Sequence, residues 1–132
     1  MILSTTDTPI TTIELPDDLE WVDEFSWTPV AQSLEYGATG ALFIQESTKQ
    51  AGRLITLEGA DDMGWITRDT AEALQALKDV AGTEMTLELS DERTFTVMFV
   101  QGNPIEITPL RRGAFFNAGD YYKINSIKLM EV

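Results

Sequence analysis

The sequence predicts a mainly β (α+β) domain of seven to eight strands with one α-helix at about residues 67–81. Short runs of alternating apolar and polar residues recur along the chain and are separated by turn residues, as is typical of strands. One stretch shows apolar residues at helical spacing. Hydrophobic residues make up 43% of the 132 residues, which is sufficient for one core.

The N-terminal part is predicted to hold an arm followed by an aromatic segment. Residues 1–16 mix Thr, Pro and isolated aliphatic residues, which predicts an extended arm with a candidate strand at Ile10–Leu15. A turn signal follows at Pro16, so residues 17–132 are predicted to form a single β domain. Within Leu19–Trp27 the aromatic side chains share one strand phase.

Two hairpins are predicted from alternating runs. Val30–Tyr36 and Ala41–Glu46 flank a turn bounded by glycines, and Arg53–Glu58 predicts the strand that follows. Further along, Met85–Leu89 and Phe95–Phe99 alternate on either side of a short polar turn. The short connection predicts antiparallel pairing.

Between the hairpins lies the predicted helix. Thr67 is its expected N-cap, acidic residues follow in the first turns, and Gly82 is the expected stop signal. An apolar stripe at helical spacing predicts the buried side of the helix, and its members are Ala71, Leu74, Leu77 and Ala81.

The C-terminal part predicts two further strands around a loop. Ile105 and Ile107 alternate, residues 110–120 form a longer loop, and Tyr121–Val132 is the last strand. The apolar phase of this strand changes midway, and a β-bulge near Asn125-Ser126 would reconcile the two halves.

The net charge of −13 is unevenly distributed along the chain. Residues 1–48 carry nine acidic residues and no Lys or Arg, whereas the remainder carries thirteen acidic and nine basic residues. Such a field disfavours binding to nucleic acid and to anionic membranes. Three interpretations remain open: a solvated face that aids solubility, a surface that faces DNA without adhering to it, and a mimic of DNA.

The residue types present exclude several classes of active site. Without Cys there is no thiolate chemistry, and without His there is neither a Ser-His-Asp triad nor a His-bearing zinc site. Asp61-Asp62 lacks the alternating acids of a calcium loop, and the pairs Asp17/Asp18 and Asp91/Glu92 lie in predicted turns. We therefore predict no catalytic, cofactor-binding or metal-binding residues, and no enzyme; a carboxylate-based hydrolase is the remaining enzymatic alternative.

The sequence predicts neither a membrane span nor a signal peptide. No apolar run approaches the roughly 20 residues that cross a bilayer. The opening residues Met1-Ile2-Leu3 lack the basic and apolar regions of a signal peptide. The chain is expected to be made in the cytoplasm and to have no membrane partner.

Candidate interface residues lie at two places in the sequence. Adjacent Phe side chains in a loop beside two Arg residues have the composition of an interface centre, and aromatic residues flanked by acids form the second candidate. These candidates are Arg111, Arg112, Phe115 and Phe116 in the loop, and Trp21 and Trp27 in the aromatic segment.

The middle and end of the chain, about residues 27–132, resemble small tail proteins of long-tailed bacteriophages and prophages. The resembling features are a strand opening with Gly52-Arg53, the phrase TLEG, a Trp before the helix, a hairpin ending in RTFTVMF, and the closing PIEITPL and YYKINSIKLMEV. The resemblance is to the distal tail and tail tube families, and it implies a β-sandwich or split barrel with one flanking α-helix.

The resemblance implies a structural virion protein of the distal tail or baseplate, with residues 17–132 as a tail-tube-like domain. Such proteins form rings, commonly hexamers, around the channel through which DNA leaves. The implied partners are further copies of the chain and other tail proteins, and DNA passes without being bound specifically. The alternatives are the major tail tube protein and, from another class, an acidic inhibitor that mimics DNA.

We expect the variant Phe115→Ser/Phe116→Ser to fold normally but to self-associate more weakly. At least one of the two rings should be exposed in the isolated subunit, and burying a Phe side chain at a contact is worth about 1.5–3 kcal/mol. Circular dichroism melts and light scattering measure the two effects separately. A large loss of melting temperature with unchanged assembly would show that the pair belongs to the core.

Overall fold

The computed structural model describes residues 1–110 and 117–132. Within these ranges the chain forms eleven β-strands and one α-helix, which confirms the mainly β fold with one helix. The strands outnumber the seven to eight expected because several pair over only two or three residues. In chain order the elements are β1 (Ile2–Thr5), β2 (Thr12–Glu14), β3 (Glu20–Trp21), β4 (Val30–Tyr36), β5 (Leu42–Thr48), β6 (Leu54–Glu58), β7 (Trp65–Thr67), α1 (Arg68–Lys78), β8 (Met85–Glu88), β9 (Thr94–Phe99), β10 (Ile105–Pro109) and β11 (Tyr121–Glu131).

Nine of the strands in the described ranges form one antiparallel sheet with β11 at its centre. The strand order is β2-β1-β8-β9-β11-β6-β3. The first half of β11 pairs with β10 and β7, and its second half pairs with β9 and β6. The two remaining strands, β4 and β5, pair with each other in a separate hairpin.

Residues 1–16 do not form the extended arm that the sequence predicts. Strand β1 lies between β2 and β8, where Leu3 is opposite Ile13 on one side and Leu87 on the other. All three side chains are buried because alternate residues of each strand face the core. Leu3, Ile13 and Leu15 are therefore core residues, Ile10 is exposed, and the segment is part of the domain.

The helix α1 begins where the sequence predicts and ends three residues earlier, at Lys78. Thr67 is the N-cap, although its hydroxyl contacts that of Thr70 at 3.3 Å instead of capping a backbone N–H. Leu74 and Leu77 are buried in the core beneath the helix. The helix thus covers the core with Ala71, Leu74 and Leu77 of the predicted stripe, whereas Ala81 lies beyond its end and is exposed.

The core is built almost wholly from aliphatic side chains contributed by the large sheet and the helix. Ser126 is the one buried polar residue among the described residues. The largest fully buried side chains are Leu3, Ile55, Leu57, Leu74, Met85, Leu87, Val97, Ile124, Ile127 and Leu129.

The phase change in the last strand is a β-bulge at Asn125, as the sequence predicts. Neighbouring residues of β10 lie opposite Ser126 and Ile124, so Asn125 is the additional residue on β11. The bulge allows Ile124 and Ile127, which are three residues apart, to face the core together. Both halves of β11 can therefore pair with neighbouring strands and still place apolar side chains in the same core.

Two glycines bring the loop between β6 and β7 against the bulge. The Gly59 N–H donates to the Asn125 carbonyl at 3.1 Å, and the Gly64 carbonyl accepts from the Ile124 N–H at 2.9 Å. A Cβ atom on Gly59 would lie 2.2 Å from the Ile124 carbonyl oxygen. Gly64 has a φ of 74°, which a residue with a side chain rarely adopts.

The aromatic segment Leu19–Trp27 is not a continuous strand, contrary to the sequence prediction. Strand β3 comprises two residues, after which the chain turns. The Asp23 carboxylate fixes this turn because it accepts hydrogen bonds from the Thr56 N–H at 2.8 Å and the Thr56 hydroxyl at 2.9 Å. Phe25 consequently leaves the strand phase and is 93% exposed.

Gly59→Ala is expected to lower the free energy of unfolding by about 1–3 kcal/mol, the usual cost of overpacking. The methyl group would displace the bulge, because the atom it meets is backbone. Urea unfolding followed by circular dichroism measures the change. Gly119→Ala is the matched control, since no described atom lies within 4 Å of its Cβ position and its effect should stay within about 0.5 kcal/mol. Equal midpoints for the two variants would contradict the prediction.

Candidate functional site

The hairpin of β4 and β5 projects from the body of the protein. Its register runs over seven residue pairs, from Val30 opposite Thr48 to Tyr36 opposite Leu42. Every residue of the two strands is exposed except Ala31, which is half-buried. At about 3.3 Å per residue the hairpin is roughly 20–25 Å long.

One side of this hairpin is apolar near its tip. Residues directly opposite each other share a face, so Leu34 adjoins Ile44 and Tyr36 adjoins Leu42. All four are large apolar or aromatic side chains, and all are substantially exposed, Leu34 by 56% and Tyr36 by 76%. We call these four residues the apolar hairpin face.

The rest of the hairpin is mainly polar, and the tip is stiffened by one aromatic ring. Nearer the base, Gln32 donates a hydrogen bond to Glu46 at 2.7 Å. At the tip, the Gly37 N–H donates to the Ala41 carbonyl at 2.8 Å. A Cβ atom on Gly37 would lie 2.8 Å from the ring of Phe43, so this ring packs directly over the turn.

No part of residues 1–110 or 117–132 covers the apolar hairpin face. A two-stranded hairpin is marginally stable in water unless one side packs against something. Contiguous exposed apolar patches of this kind mark interaction sites on soluble proteins. The apolar hairpin face is therefore the candidate functional site.

The base of the hairpin is held by a cluster of one arginine and three aromatic rings. The Arg53 guanidinium carbon lies 4.7 Å from the ring centre of Trp21, 5.8 Å from that of Phe95 and 5.9 Å from that of Trp27. The Trp21 and Phe95 rings meet edge to face at 5.5 Å. We call Arg53, Trp21, Phe95 and Trp27 the root cluster.

The root cluster joins both ends of the hairpin to the sheet. Trp27 precedes β4 by three residues, and Arg53 directly precedes β6. Between the strand ends, the Lys49 N–H donates to the Pro29 carbonyl at 2.6 Å, and the Lys49 ammonium lies 5.8 Å from the Trp27 ring centre. Arg53 Nη2 also donates to the Glu24 carbonyl at 2.8 Å. These contacts fix where the hairpin leaves the body.

A second arginine reinforces the root cluster from the β8–β9 turn. The Arg93 guanidinium carbon lies 5.4 Å from the Trp21 ring centre. Its nitrogens form ion pairs with Glu24 at 2.9 Å and with Asp91 at 2.7 Å. Hydrogen bonds to these two carboxylates raise the pKa of Arg93 above its usual value. The cluster acts as an anchor through these ring contacts and ion pairs, although Trp21 Nε1 and Arg53 Nε are buried without a hydrogen-bond partner among the described residues.

The predicted interface residues fall into two groups. Trp21 and Trp27 lie half-buried in the root cluster, where Trp21 also packs against the core. The structure thus brings the two tryptophans together through one arginine, and their contribution to a subunit interface stays a prediction. The loop candidates Arg111, Arg112, Phe115 and Phe116 lie outside the described residues.

A second candidate surface lies at the opposite end of β11 from the root cluster. An open groove of about 410 Å³ runs between the β2–β3 connection, β7, the start of α1 and the start of β11. Trp65 and Tyr121 line it and are 51% and 59% exposed. We call it the Trp65–Tyr121 groove.

One ion pair lies beside this groove. Lys123 is opposite Trp65 in the register and donates to the Asp61 carboxylate at 2.8 Å. The hydrogen bond and the positive charge of Lys123 lower the pKa of Asp61. Asp61 is therefore ion-paired in its turn.

No group of three or more Asp and Glu side chains in residues 1–110 and 117–132 is placed to hold a metal ion. Within the same ranges, no helix has the length and apolar character needed to cross a membrane.

No protein-family model matches the chain, and neither curated proteins nor solved structures show a significant match.

The alternating residues predict both strands of the hairpin but not their exposed apolar face. The alternation in Val30–Tyr36 is equally typical of a strand that faces a core. The informative signal was Leu42-Phe43-Ile44, because three consecutive apolar residues place side chains on both sides of a strand. The opposing strand carries Ser33 and Glu35 between its apolar residues, so a hairpin of these two strands cannot be buried on both sides.

Trp21→Ala is expected to destabilise the fold by about 2–3 kcal/mol, somewhat less than the loss for a fully buried aromatic residue. The substitution removes the ring that Arg53, Arg93 and Phe95 contact. Trp65→Ala, at an exposed ring, is the matched control and should cost about 1 kcal/mol or less. Urea unfolding of both variants, followed by circular dichroism, decides the comparison. Equal stability losses would show that the root cluster does not anchor the fold.

Proposed function

We propose that this chain is a structural subunit of a phage tail, at the distal tail or baseplate, which assembles into a ring around the channel for DNA. The observation that carries the proposal is the projecting hairpin with its exposed apolar face. The resemblance of residues 27–132 to phage tail proteins supports placing this proposed assembly in a tail. The subunit would be made in the cytoplasm and would act in the virion tail.

The apolar hairpin face supplies a driving force for assembly. Burying a large apolar side chain from full exposure stabilises a contact by about 1.5–3 kcal/mol. Because Leu34, Tyr36, Leu42 and Ile44 are roughly half exposed or more, covering each contributes about 1 kcal/mol. A closed ring repeats the same contact at every subunit, so a modest contact suffices to hold the assembly together.

The charge distribution supports a role beside DNA rather than bound to it. The net charge is −13, and the segment that includes the hairpin has no Lys or Arg before Lys49. An acidic surface repels the phosphate backbone, which favours passage over adhesion. A hexamer would multiply this field around its channel.

Two alternatives make different predictions. A major tail tube protein would polymerise, so sedimentation at high concentration would show long tubes instead of closed rings. An acidic mimic of DNA would bind a basic host protein, and added salt would weaken that complex.

Immunogold labelling of phage particles tests the proposed location directly, and absence of label from the tail would overturn it.

Leu34→Ser/Ile44→Ser is expected to abolish ring formation while leaving the fold intact. The two side chains adjoin across the hairpin, outside the core, so their loss removes about 2 kcal/mol from each contact, or about 30-fold in affinity. Light scattering with size-exclusion chromatography measures assembly, and circular dichroism measures the fold.

Val80→Ser is the matched control, since Val80 is also an exposed aliphatic residue but follows α1 instead of lying on the hairpin. The control should assemble as the unchanged protein does. Assembly that is equally strong in both variants would remove the hairpin from the interface.

A further inference from the structure

We propose that the Trp65–Tyr121 groove binds the guanidinium group of an arginine side chain presented by a different protein. The inference goes beyond the proposed function, because it concerns another surface and holds whichever surfaces join the copies of this chain. It is carried by two exposed aromatic rings, one unpaired carboxylate and an arginine site of similar composition elsewhere in the fold.

The strand pairing places both rings of the groove on one outer face of the sheet. In the register of β7 with β11, Tyr121 is opposite Thr67, which follows Trp65 by two residues. Residues two apart on a strand, and residues opposite each other, point to the same side of a sheet. Ile66, between Trp65 and Thr67, faces the core and is buried. Trp65 and Tyr121 therefore point outward together, and each is more than half exposed.

The faces of these two rings carry no cation of their own. Neither ring contacts another ring or a cation among the described residues. Lys123, which is opposite Trp65 in the register, donates to the Asp61 carboxylate at 2.8 Å instead. Trp65 Nε1 donates to the Asp61 carbonyl at 3.3 Å, which holds the indole in place. A cation within about 6 Å of such a ring centre is attracted by the negative face of the ring.

An unpaired carboxylate lines the same groove. Glu14, the last residue of β2, is exposed and forms no ion pair with the described residues. Asp17, the other carboxylate of the lining, contacts the amino group of Met1. The groove therefore combines two aromatic rings with one negative charge that has no partner in the described chain, and this combination suits a cation.

The chain holds one of its own arginines with the same residue types. The Arg93 guanidinium carbon lies 5.4 Å from the Trp21 ring centre, and a nitrogen of the same group lies 2.9 Å from the Glu24 carboxylate. The groove contains a tryptophan and a glutamate, Trp65 and Glu14, but no described arginine lines it. A guanidinium suits such a pair because it can stack on a ring and donate to a carboxylate at the same time.

The charges favour a partner other than a second copy. Two copies that each carry −13 repel, whereas a basic protein is attracted by the same field. Within the described residues, the arginines are held by a ring or a carboxylate of their own chain, and they are Arg53, Arg68 and Arg93. The occupant that fits is therefore an arginine on an exposed segment of a different protein.

A peptide with a single arginine tests the site. Acetylated and amidated Gly-Arg-Gly carries one charge, and the same peptide with citrulline in place of arginine is its neutral counterpart. Labelling with 5-fluorotryptophan gives the three tryptophans three fluorine NMR signals, and Trp65→Phe identifies the one from Trp65. We expect this signal to shift saturably with the arginine peptide. The citrulline peptide should need about tenfold higher concentration, because it lacks the charge that the rings and Glu14 attract.

Two glutamate variants separate the site from the overall field of the protein. Glu14→Gln and Glu35→Gln each remove one negative charge, but Glu35 lies on the β4–β5 hairpin and does not line the groove. At constant salt, we expect Glu14→Gln to weaken binding of the arginine peptide about fivefold and Glu35→Gln to leave it unchanged. Circular dichroism confirms that both variants are folded.

Three results would overturn the inference. Equal binding of the arginine and citrulline peptides would show that the groove does not recognise positive charge. Equal weakening by the two glutamate variants would show attraction by the overall field alone. A Trp65 signal that changes with protein concentration in the absence of peptide would place a second copy in the groove. Failure of ring formation, or absence of label from phage tails, would overturn the proposed function but not this site, so the two proposals fail separately.

Discussion

The backbone pairing of β11 is the constraint on which the rest of the structure depends. Four strands hydrogen-bond to this one strand, two along each half. The bulge at Asn125 shifts the side-chain phase between the halves so that both contribute to one core. Close backbone packing at Gly59 then holds the bulge in place. A change in the register of β11 would therefore displace strands on both sides together.

The body of the protein and the projecting β4–β5 hairpin make different contributions to stability. The body buries an aliphatic core and forms nine paired strands among its described residues, so it supplies the stability of the fold. The hairpin contributes backbone hydrogen bonds but little burial, and it depends on the root cluster for its position. The residues that stabilise the fold are consequently different from those of the proposed interface, which lets variants separate the two properties.

Much of this fold could be predicted from the sequence, and the errors have physical causes. Periodicity identified the helix, both hairpins and the bulge, because in those segments the apolar pattern and the turn signals agree. It failed for residues 1–16, because single aliphatic residues such as Leu3 are buried only through pairing with distant strands. It failed also near Trp27, where a side-chain hydrogen bond from Thr56 to Asp23 sets the turn. The apolar hairpin face was missed because an alternating pattern does not reveal whether a strand faces its own core or a partner.

The ends of the large sheet have a consequence for the free subunit. Its terminal strands, β2 and β3, comprise three and two residues in the described chain, and each is followed by carboxylates. Short, acidic edges offer few backbone groups to a foreign strand, which is a common protection against amyloid-like stacking. Free subunits at high concentration would thus remain dispersed, and side-chain recognition rather than open-ended strand addition would govern any association between them.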